Sequence, residues 1–352
     1  MKSWAVNVAL VVGSVLITLV ACEIGFRALG YYGQRGANLA KIYHVPEDQI
    51  LDYRMIKNAE WVHNGIDYRT NNHGWRDYDY TYEKPDGVFR IVALGDSVLN
   101  GHGVAVEDVY AKHLERMANS DDSGVKVEVI MLAIGALSTE QEAHLLEVEG
   151  LKYGPDLITV GYVLNDPGEG PSFSKMEKRS KEISFFQKVR QNLKNLSVVY
   201  YTYRAIDNLG WKLGVQVLGG AKQGAARIGS DYYERIHGDA ELWQTVVEGM
   251  KKIRRLSDQV GAKVVVAIFP IIYDLENYRW SALHEQVRDL AEDQGFAVID
   301  LLDVYRQEGE RSLRLGWGDY THPNPRGHAI AGAALHEFLC EGGFMPAPCS
   351  AN

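Results

Sequence analysis

The chain has 352 residues, 46% of them hydrophobic, and a formal net charge of −9. This length suffices for one large domain or two ordinary ones with a substantial core. A protein that binds nucleic acid normally presents a cluster of Lys and Arg, and the sequence contains no such cluster. Composition and charge therefore argue against nucleic acid as a partner.

The N-terminus carries a long apolar segment. Residues 4–22 contain only three polar side chains, and Lys2 precedes them. About 20 apolar residues allow a helix to span a bilayer. Residues 1–29 are therefore predicted to form a membrane or signal anchor. We expect the remainder of the chain to lie outside the cytoplasm, because a single N-terminal anchor is the usual start of export.

The end of this segment allows a second interpretation. Leu19-Val20-Ala21-Cys22 resembles a bacterial lipoprotein signal, in which Cys22 would be lipidated. Against this, the following residues continue a helical pattern, and Glu23 and Arg27 lie four apart, where they can pair at the membrane surface. The sequence leaves signal anchor and lipoprotein both open.

The cysteines do not have the spacing of a structural zinc site. Cys22, Cys340 and Cys349 include no C-x-x-C pair. Cys340 and Cys349 flank a short loop, and in an oxidising compartment they can form a disulfide. The alternative is two free thiols near a frayed C-terminus.

Strands and helices alternate from residue 89 onward. Strands are predicted at 90–94, 125–133, 157–163, 263–269 and 297–301. Helices are predicted at 106–119, 139–151, 240–260, 281–294 and 325–340. The strands are continuous apolar runs, which is typical of a parallel sheet buried on both faces. The sequence therefore predicts a three-layer α/β/α fold, flavodoxin-like, with about five parallel strands.

The other segments are expected to surround this domain. Residues 30–88 are predicted to form an irregular extension with short strands and no core of its own, and residues 343–352 a C-terminal tail. The domain itself is placed at 89–342. Residues 167–239 interrupt the alternation as a mostly helical insertion, which either caps the functional site or decorates the side of the domain.

Gly95-Asp96-Ser97 directly follows the first predicted strand of this sheet. The glycine permits a tight turn, and the carboxyl ends of parallel strands are where sites form in such sheets. The triplet alone is a weak signal, because chance supplies it in about one chain in ten of this length. Its position between a strand and a helix makes Ser97 a candidate nucleophile.

A partner for Ser97 occurs near the other end of the chain. A serine hydroxyl requires a neighbouring base, and the base requires a group that fixes its tautomer. Asp319 and His322 lie three apart, so that one turn of chain can bring the carboxylate to the imidazole. Asn324 and Pro325 follow as a cap and first residue of the last helix, which would hold this loop in place.

Two further strand ends offer hydrogen-bond donors. Asn165 follows the strand at 157–163, and its amide can donate to a developing oxyanion. The turn at Gly135 and Ala136 can present a backbone N–H to the same oxygen. Taken alone, each of these positions is also consistent with an ordinary turn.

These four blocks, in this order, resemble the SGNH (GDSL-type) hydrolase family from about residue 90 to 339. The segment Asn71-Asn72-His73-Gly74-Trp75-Arg76 is similar to one found before the nucleophile in membrane-anchored bacterial members. The resemblance implies Ser97 as nucleophile, His322 as general base and Asp319 as the orienting carboxylate. It implies that Asn165 and the N–H of Ser97 contact the oxyanion.

The sequence departs from the family pattern at two places. Relative to the stretch Ser138-Thr139-Glu140-Gln141, the family glycine position is occupied by Ala136, not by Gly135. Val163 stands where the third block usually has a glycine. The first departure leaves open which residue of the turn supplies the donor.

The function expected is hydrolysis of an ester on a small molecule, lipid or glycan, with no cofactor. An acyltransferase that moves an O-acetyl group within the cell envelope would use the same residues, and a non-catalytic anchored module is a third possibility. Asp319, His322 and His328 are conceivable metal ligands, but no further cluster completes such a site, so no metal is predicted. His102 is expected to be a solvated loop residue.

Overall fold

A computed structural model describes residues 2–29, 42–44, 51, 53–63, 66–120, 124–168, 196–213, 227–316 and 318–346. The helices in this part of the chain are α1 (Lys2–Ala28), α2 (Tyr110–Ala118), α3 (Thr139–Val148), α4 (Ser197–Leu213), α5 (Tyr232–Gly238), α6 (Ala240–Val260), α7 (Ser281–Asp293), α8 (Leu302–Glu308), α9 (Glu310–Leu313) and α10 (Pro325–Glu341). The strands are β1 (Tyr43–His44), β2 (Arg54–Met55), β3 (Glu60–His63), β4 (Ile66–Arg69), β5 (Val88–Gly95), β6 (Lys126–Ala133), β7 (Leu157–Val163), β8 (Lys263–Phe269), β9 (Ala297–Asp300), β10 (Arg314–Gly316) and β11 (Asp319–Pro323).

The core of the molecule is a five-stranded parallel sheet in the order β6-β5-β7-β8-β9. Every residue of β7 is buried, as are all of β6 and β8 after their first residue. Such strands have helices on both faces, which explains their continuous apolar sequences. The predicted three-layer α/β/α fold with five parallel strands is confirmed.

The order of the strands locates the site. From β5 the chain moves to one neighbour, β6, and then crosses back to the other neighbour, β7. The crevice between the carboxyl ends of β5 and β7 is therefore the switch point at which ligands bind in open α/β sheets. Ser97 follows β5 and Asn165 follows β7, so both flank this crevice.

The helices form one layer on each face of the sheet. This follows because connections between parallel strands are right-handed, so that the helices lie on opposite faces when the chain moves in opposite directions across the sheet. Helices α2 and α10 pack together on one face, and α3 packs against α6 on the other. Glycine allows both close approaches. A Cβ atom on Gly332 of α10 would lie 2.5 Å from Cβ of His113, and one on Gly249 of α6 would lie 2.9 Å from the carbonyl oxygen of Thr139.

The predicted elements differ from the observed ones mainly at helix ends. The helix expected at 106–119 is a 3₁₀ turn, Val106–Asp108, followed by α2, because Val109 between them is extended (φ −71°, ψ 141°). The helix expected at 139–151 ends at Val148, where Glu149 leaves the helical region (φ −132°). Helices α8 and α9 and the hairpin of β10 and β11 were not predicted.

The segment before the sheet is irregular, with the short hairpins β1–β2 and β3–β4. Its aromatic residues Tyr68, Trp75 and Tyr80 belong to the same hydrophobic core as the sheet. The described part of this segment therefore packs onto the core of the sheet.

Helix α1 contains the stretch Trp4–Ala28, which is long and apolar enough to cross a membrane. Near its end, Glu23 and Arg27 form the expected ion pair, at 2.7 Å. The backbone N–H of Val198 donates to Oε2 of Glu23 at 2.9 Å, and the rings of Phe26 and Tyr201 stack at 5.5 Å. The insertion therefore contacts the end of α1 through α4.

The described parts of the insertion are helical, as predicted, in α4 and α5. Its charged stretch at 175–181 and most of its Gly-rich stretch at 219–229 lie outside the described residues. Cys340 is disulfide-bonded and Cys22 is free. Cys349, the predicted partner of Cys340, also lies outside the described residues.

Candidate active site

Ser97 stands on the turn that ends β5. The turn is tight at Gly95, where a Cβ atom would lie 2.8 Å from Cβ of Leu99. The Oγ atom of Ser97 lies 2.9 Å from Nε2 of His322. The structure therefore brings the predicted nucleophile and the predicted base into hydrogen-bond contact from opposite ends of the domain.

Asp319 and His322 lie on β11. The ring Nδ1 of His322 is 3.0 Å from each carboxylate oxygen of Asp319, and the backbone N–H of His322 donates to Oδ1 at 3.0 Å. The pairing of β11 with β10 shifts register between Arg314 and Gly316. Such a bulge re-aims side chains. The hydrogen bond from the backbone N–H of His322 to Asp319, three residues earlier, closes a turn within this irregular strand and brings both side chains to the same site.

The electrostatics of this pair suit a general base. Burial disfavours the imidazolium of His322, but the hydrogen bond and charge of Asp319, together with the charge of Asp96, outweigh burial and raise the pKa of His322. Burial would raise the pKa of Asp319, yet the hydrogen bond and charge of His322 lower it overall. Asp319 is consequently held as a carboxylate beside the imidazole of His322.

Asn165 is held beside Ser97 through Asp96. The Nδ2 atom of Asn165 donates to Oδ2 of Asp96 at 3.1 Å, while the backbone N–H of Val98 donates to Oδ1 at 2.9 Å. Ser97 Oγ lies 3.3 Å from the same Oδ2. Asn165 has a second amide hydrogen available for an oxyanion. The orienting contact of Asp96 was not predicted, because it joins the ends of two strands.

The turn at Gly135 and Ala136 also lies next to Ser97. A Cβ atom on Gly135 would be 3.8 Å from Cβ of Ser97, and the carbonyl oxygen of Gly135 accepts a hydrogen bond from the hydroxyl of Tyr53 at 2.7 Å. Ala136, at the family's glycine position, has a φ of +61°. A left-handed backbone here explains why glycine is usual in the family.

Arg76 holds the loop after Ser97 in place. From the sequence, Arg76 was identified only as part of the segment 71–76. Its guanidinium donates to the carbonyl oxygens of Asn100, Gly101 and Val104 at 2.6, 2.8 and 2.6 Å. Its side chain is buried over the ring of Tyr68, 3.8 Å from the centroid. The segment 71–76 thus holds the loop that follows Ser97. The sequence signal for this role was the resemblance of the segment to one found in membrane-anchored family members.

His102 is partly exposed and lies beside His322. Its ring lies 4.4 Å from the ring of His322, and its charge helps to lower the pKa of Asp319. Within the described residues, the cluster suited to a metal ion by side-chain type is His102, Asp319 and His322. Both ring nitrogens of His322 already form contacts, one with Ser97 and the other with Asp319, so the position of His322 in this cluster is explained without a metal ion.

His328 does not join the site. Its Nδ1 accepts the backbone N–H of Tyr110 at 3.3 Å. Burial, with the charges of His113 and His322, lowers the pKa of His328 to about 3. It is therefore a neutral histidine of the helix packing.

The end of the insertion lies near the loop that carries Asn165. A Cβ atom on Gly168, in the loop after Asn165, would lie 3.4 Å from the hydroxyl of Tyr232 on α5. Arg227 stacks on the ring of Tyr232 at 4.6 Å, and its charge lowers the pKa of His322. Residues 227–239 therefore lie close enough to His322 for the charge of Arg227 to act on it.

The fold is that of the doubly wound parallel α/β proteins, and its switch point brings a serine, a histidine and an aspartate together. The profile of the GDSL-like Lipase/Acylhydrolase family matches residues 93–330. The chain therefore belongs to this family, and it is an ester-bond hydrolase of the SGNH/GDSL type. No curated protein sequence matches it significantly.

Solved structures of similar fold have low sequence identity to this chain. LAE5, an alpha/beta hydrolase enzyme from the metagenome of Lake Arreo in Spain, is 13% identical over 75% of this chain and 98% of its own, with a TM-score of 0.44. A catalytic mutant of Axe2, an acetylxylan esterase from Geobacillus stearothermophilus, is 13% identical over 73% and 94%, with a TM-score of 0.41. A lipase/acylhydrolase from Enterococcus faecalis is 15% identical over 74% and 98%, with a TM-score of 0.40.

Proposed function

We propose that this chain is a serine esterase in which Ser97 is the nucleophile, His322 the general base and Asp319 the group that orients the imidazole. One observation carries this proposal: the continuous chain of contacts from Oγ of Ser97 through both ring nitrogens of His322 to the carboxylate of Asp319, at 2.9 and 3.0 Å. A nucleophile, a base within reach and a third group that orients the base are what acyl transfer requires.

In the first step, Oγ of Ser97 attacks the ester carbonyl carbon while Nε2 of His322 takes the hydroxyl proton. The carbonyl π electrons move to oxygen, and the oxyanion is received by the N–H of Ser97, the Gly135–Ala136 turn and the amide of Asn165. The tetrahedral intermediate then collapses. The C–O bond to the alcohol breaks, and His322 protonates the departing alkoxide, leaving an acyl group on Ser97.

In the second step, a water molecule attacks the acyl-enzyme. His322 takes a proton from the water, and the same donors stabilise the second oxyanion. Cleavage of the bond between the acyl carbon and Oγ releases a carboxylic acid, and His322 returns its proton to Ser97. The overall reaction is ester plus water to acid plus alcohol.

We also propose that α1 anchors the enzyme in a membrane with the catalytic domain, residues 89–342, outside the cytoplasm. The length and composition of Trp4–Ala28 and the preceding Lys2 support this arrangement. The substrate is proposed to be an ester carried by a small molecule, a lipid or a glycan, such as an O-acetyl group.

The proposal is tested by labelling the full-length protein in detergent with a fluorophosphonate probe, followed by hydrolysis of acetyl and long-chain esters. We expect labelling of the wild type and none of Ser97→Ala, with a loss of kcat/KM of at least about 10³-fold. Ser312→Ala is the control, because Oγ of Ser312 bonds only to local carbonyls of its own helix region. Esterase activity that survives in Ser97→Ala would refute the assignment.

A further inference from the structure

Two carboxyl groups lie in the core behind the proposed oxyanion hole. Glu142 on α3 and Asp166, the residue after Asn165, are both completely buried. Within the described residues, Oε1 and Oε2 of Glu142 and Oδ1 of Asp166 have no hydrogen-bond donor. The remaining oxygen, Oδ2 of Asp166, accepts from Oγ1 of Thr139 at 3.3 Å.

No cation in the part of the chain described by the structure forms an ion pair with either group. The polar groups that face them from neighbouring elements are Asp96 after β5, Tyr110 on α2 and Tyr162 on β7. The hydroxyl of Tyr162 contacts Nε2 of His237 at 3.1 Å. The two carboxyls therefore lie among an acid and two phenols, with no positive charge to balance them.

Two ionised carboxylates cannot remain in such surroundings, because burying an unpaired charge costs far more than a folded protein can offset. A proton on one carboxyl provides an O–H donor for an oxygen of the other, which gives partners to atoms that otherwise lack them. Burial and the charge of Asp96 raise the pKa of Glu142 in the direction this requires. Burial, the charge of Glu142 and the charge of Asp96 raise the pKa of Asp166 in the same direction.

We propose that Glu142 and Asp166 share a proton as a hydrogen-bonded acid pair that positions Asn165 for the oxyanion. The acid pair fixes the loop after β7 to helix α3, since Asp166 adjoins Asn165 in the chain. Because the pair retains a proton, it also carries one negative charge fewer near Asp96 and near the oxyanion. Both are positioning residues, and this role rests on the proposed function of Asn165.

The proton is tested directly by infrared spectroscopy of the full-length wild type at neutral pH. We expect a carbonyl band of an un-ionised carboxylic acid, which disappears in Glu142→Gln and in Asp166→Asn. Glu128→Gln is the matched control, because Glu128 is also buried but is paired with Lys126 at 2.8 Å and with Arg90 at 2.9 Å, and these ion pairs lower its pKa. This variant should keep the band. A wild type without the band overturns the proposal, whether or not the protein proves to be an esterase.

The positioning role is tested by steady-state kinetics. Glu142→Gln keeps a hydrogen-bonding group of the same shape, and we expect its kcat to stay within about threefold of the wild type. Glu142→Met keeps the size but loses the hydrogen bond, and we expect kcat to fall roughly 10- to 100-fold with KM unchanged, because a displaced oxyanion donor loses much of its effect. A Met variant with full kcat, or a Gln variant as impaired as the Met variant, overturns the role. Should a variant at 142 not fold, Asp166→Asn and Asp166→Leu provide the same comparison, and a loss of kcat in Asp166→Asn or full kcat in Asp166→Leu overturns the role.

Discussion

Nε2 of His322 lies 2.9 Å from Oγ of Ser97, although 225 positions separate the two residues in the chain. The contact exists because β5 is an interior strand of the sheet and α10 packs against α2 on the face next to it. The hairpin before α10 then reaches the carboxyl end of β5. The arrangement yields four predictions beyond the loss of activity in Ser97→Ala.

Asp319→Asn should disturb both the rate and its pH dependence. The carboxylate favours the imidazolium, so its removal lowers the pKa of His322 and moves the acid limb of kcat/KM to lower pH. The rate at the optimum should fall roughly 10³- to 10⁴-fold, because the amide no longer holds the correct tautomer. The pH profile of ester hydrolysis measures both effects. Asp303→Asn, at an 81% exposed side chain that pairs with Arg306, should change neither.

Arg227→Gln should shift the acid limb of kcat/KM in the opposite direction, to higher pH. The guanidinium charge lowers the pKa of His322, so that its removal raises this pKa and activity is lost at a higher pH as the medium is acidified. The shift is measured with a neutral ester, so that substrate binding is not altered by charge. Arg235→Gln is a matched control, since Arg235 is exposed and lies 5.8 Å from the ring of Tyr232 that Arg227 covers at 4.6 Å. An unchanged limb in Arg227→Gln would show that the insertion does not influence the base.

Ala136→Gly should stabilise the protein. Ala136 has a φ of +61°, a conformation that costs an L-residue about 1 kcal/mol and costs glycine almost nothing. Because glycine also adds flexibility to the unfolded chain, which costs at least about 0.5 kcal/mol, we expect the free energy of unfolding to rise by up to about 0.5 kcal/mol, as measured by chemical denaturation in detergent. Ala105→Gly is the control, because Ala105 has a φ of −66°. There, glycine only adds flexibility to the unfolded chain and should destabilise the protein by about 0.5–1 kcal/mol. Equal effects at the two positions would contradict the strain at Ala136.

Arg76→Met should destabilise the fold by roughly 3–5 kcal/mol, because three buried carbonyl oxygens would lose a charged donor together. Activity should fall as well, since the loop after Ser97 is released. The control is Arg116→Met, at an exposed side chain that donates to the carbonyl oxygen of Glu107, with an expected loss below about 1 kcal/mol. Denaturation curves compare the two variants. A loss at position 76 no larger than at position 116 would rule out the anchoring role.

The sequence by itself determined the alternation of strands and helices along the chain and which segments form the sheet. The bounds of β7, β8 and α6 were predicted to the residue, because continuous apolar runs and a 3.6-residue period are local properties of the chain. The sequence also indicated Ser97, Asp319 and His322, since turn chemistry and the strand–turn–helix context surround each of them.

Tertiary structure alone decided how these side chains are supported. The bond from Asn165 to Asp96, the reach of Arg76 to the loop after Ser97, the ring of His102 against His322 and the burial of Glu142 beside Asp166 all join distant segments. Each depends on which strand ends meet at one edge of the sheet and on how closely the helices approach it. Neither property is written in the local pattern of residues, because long-range contacts arise only when separate apolar faces pack into one core.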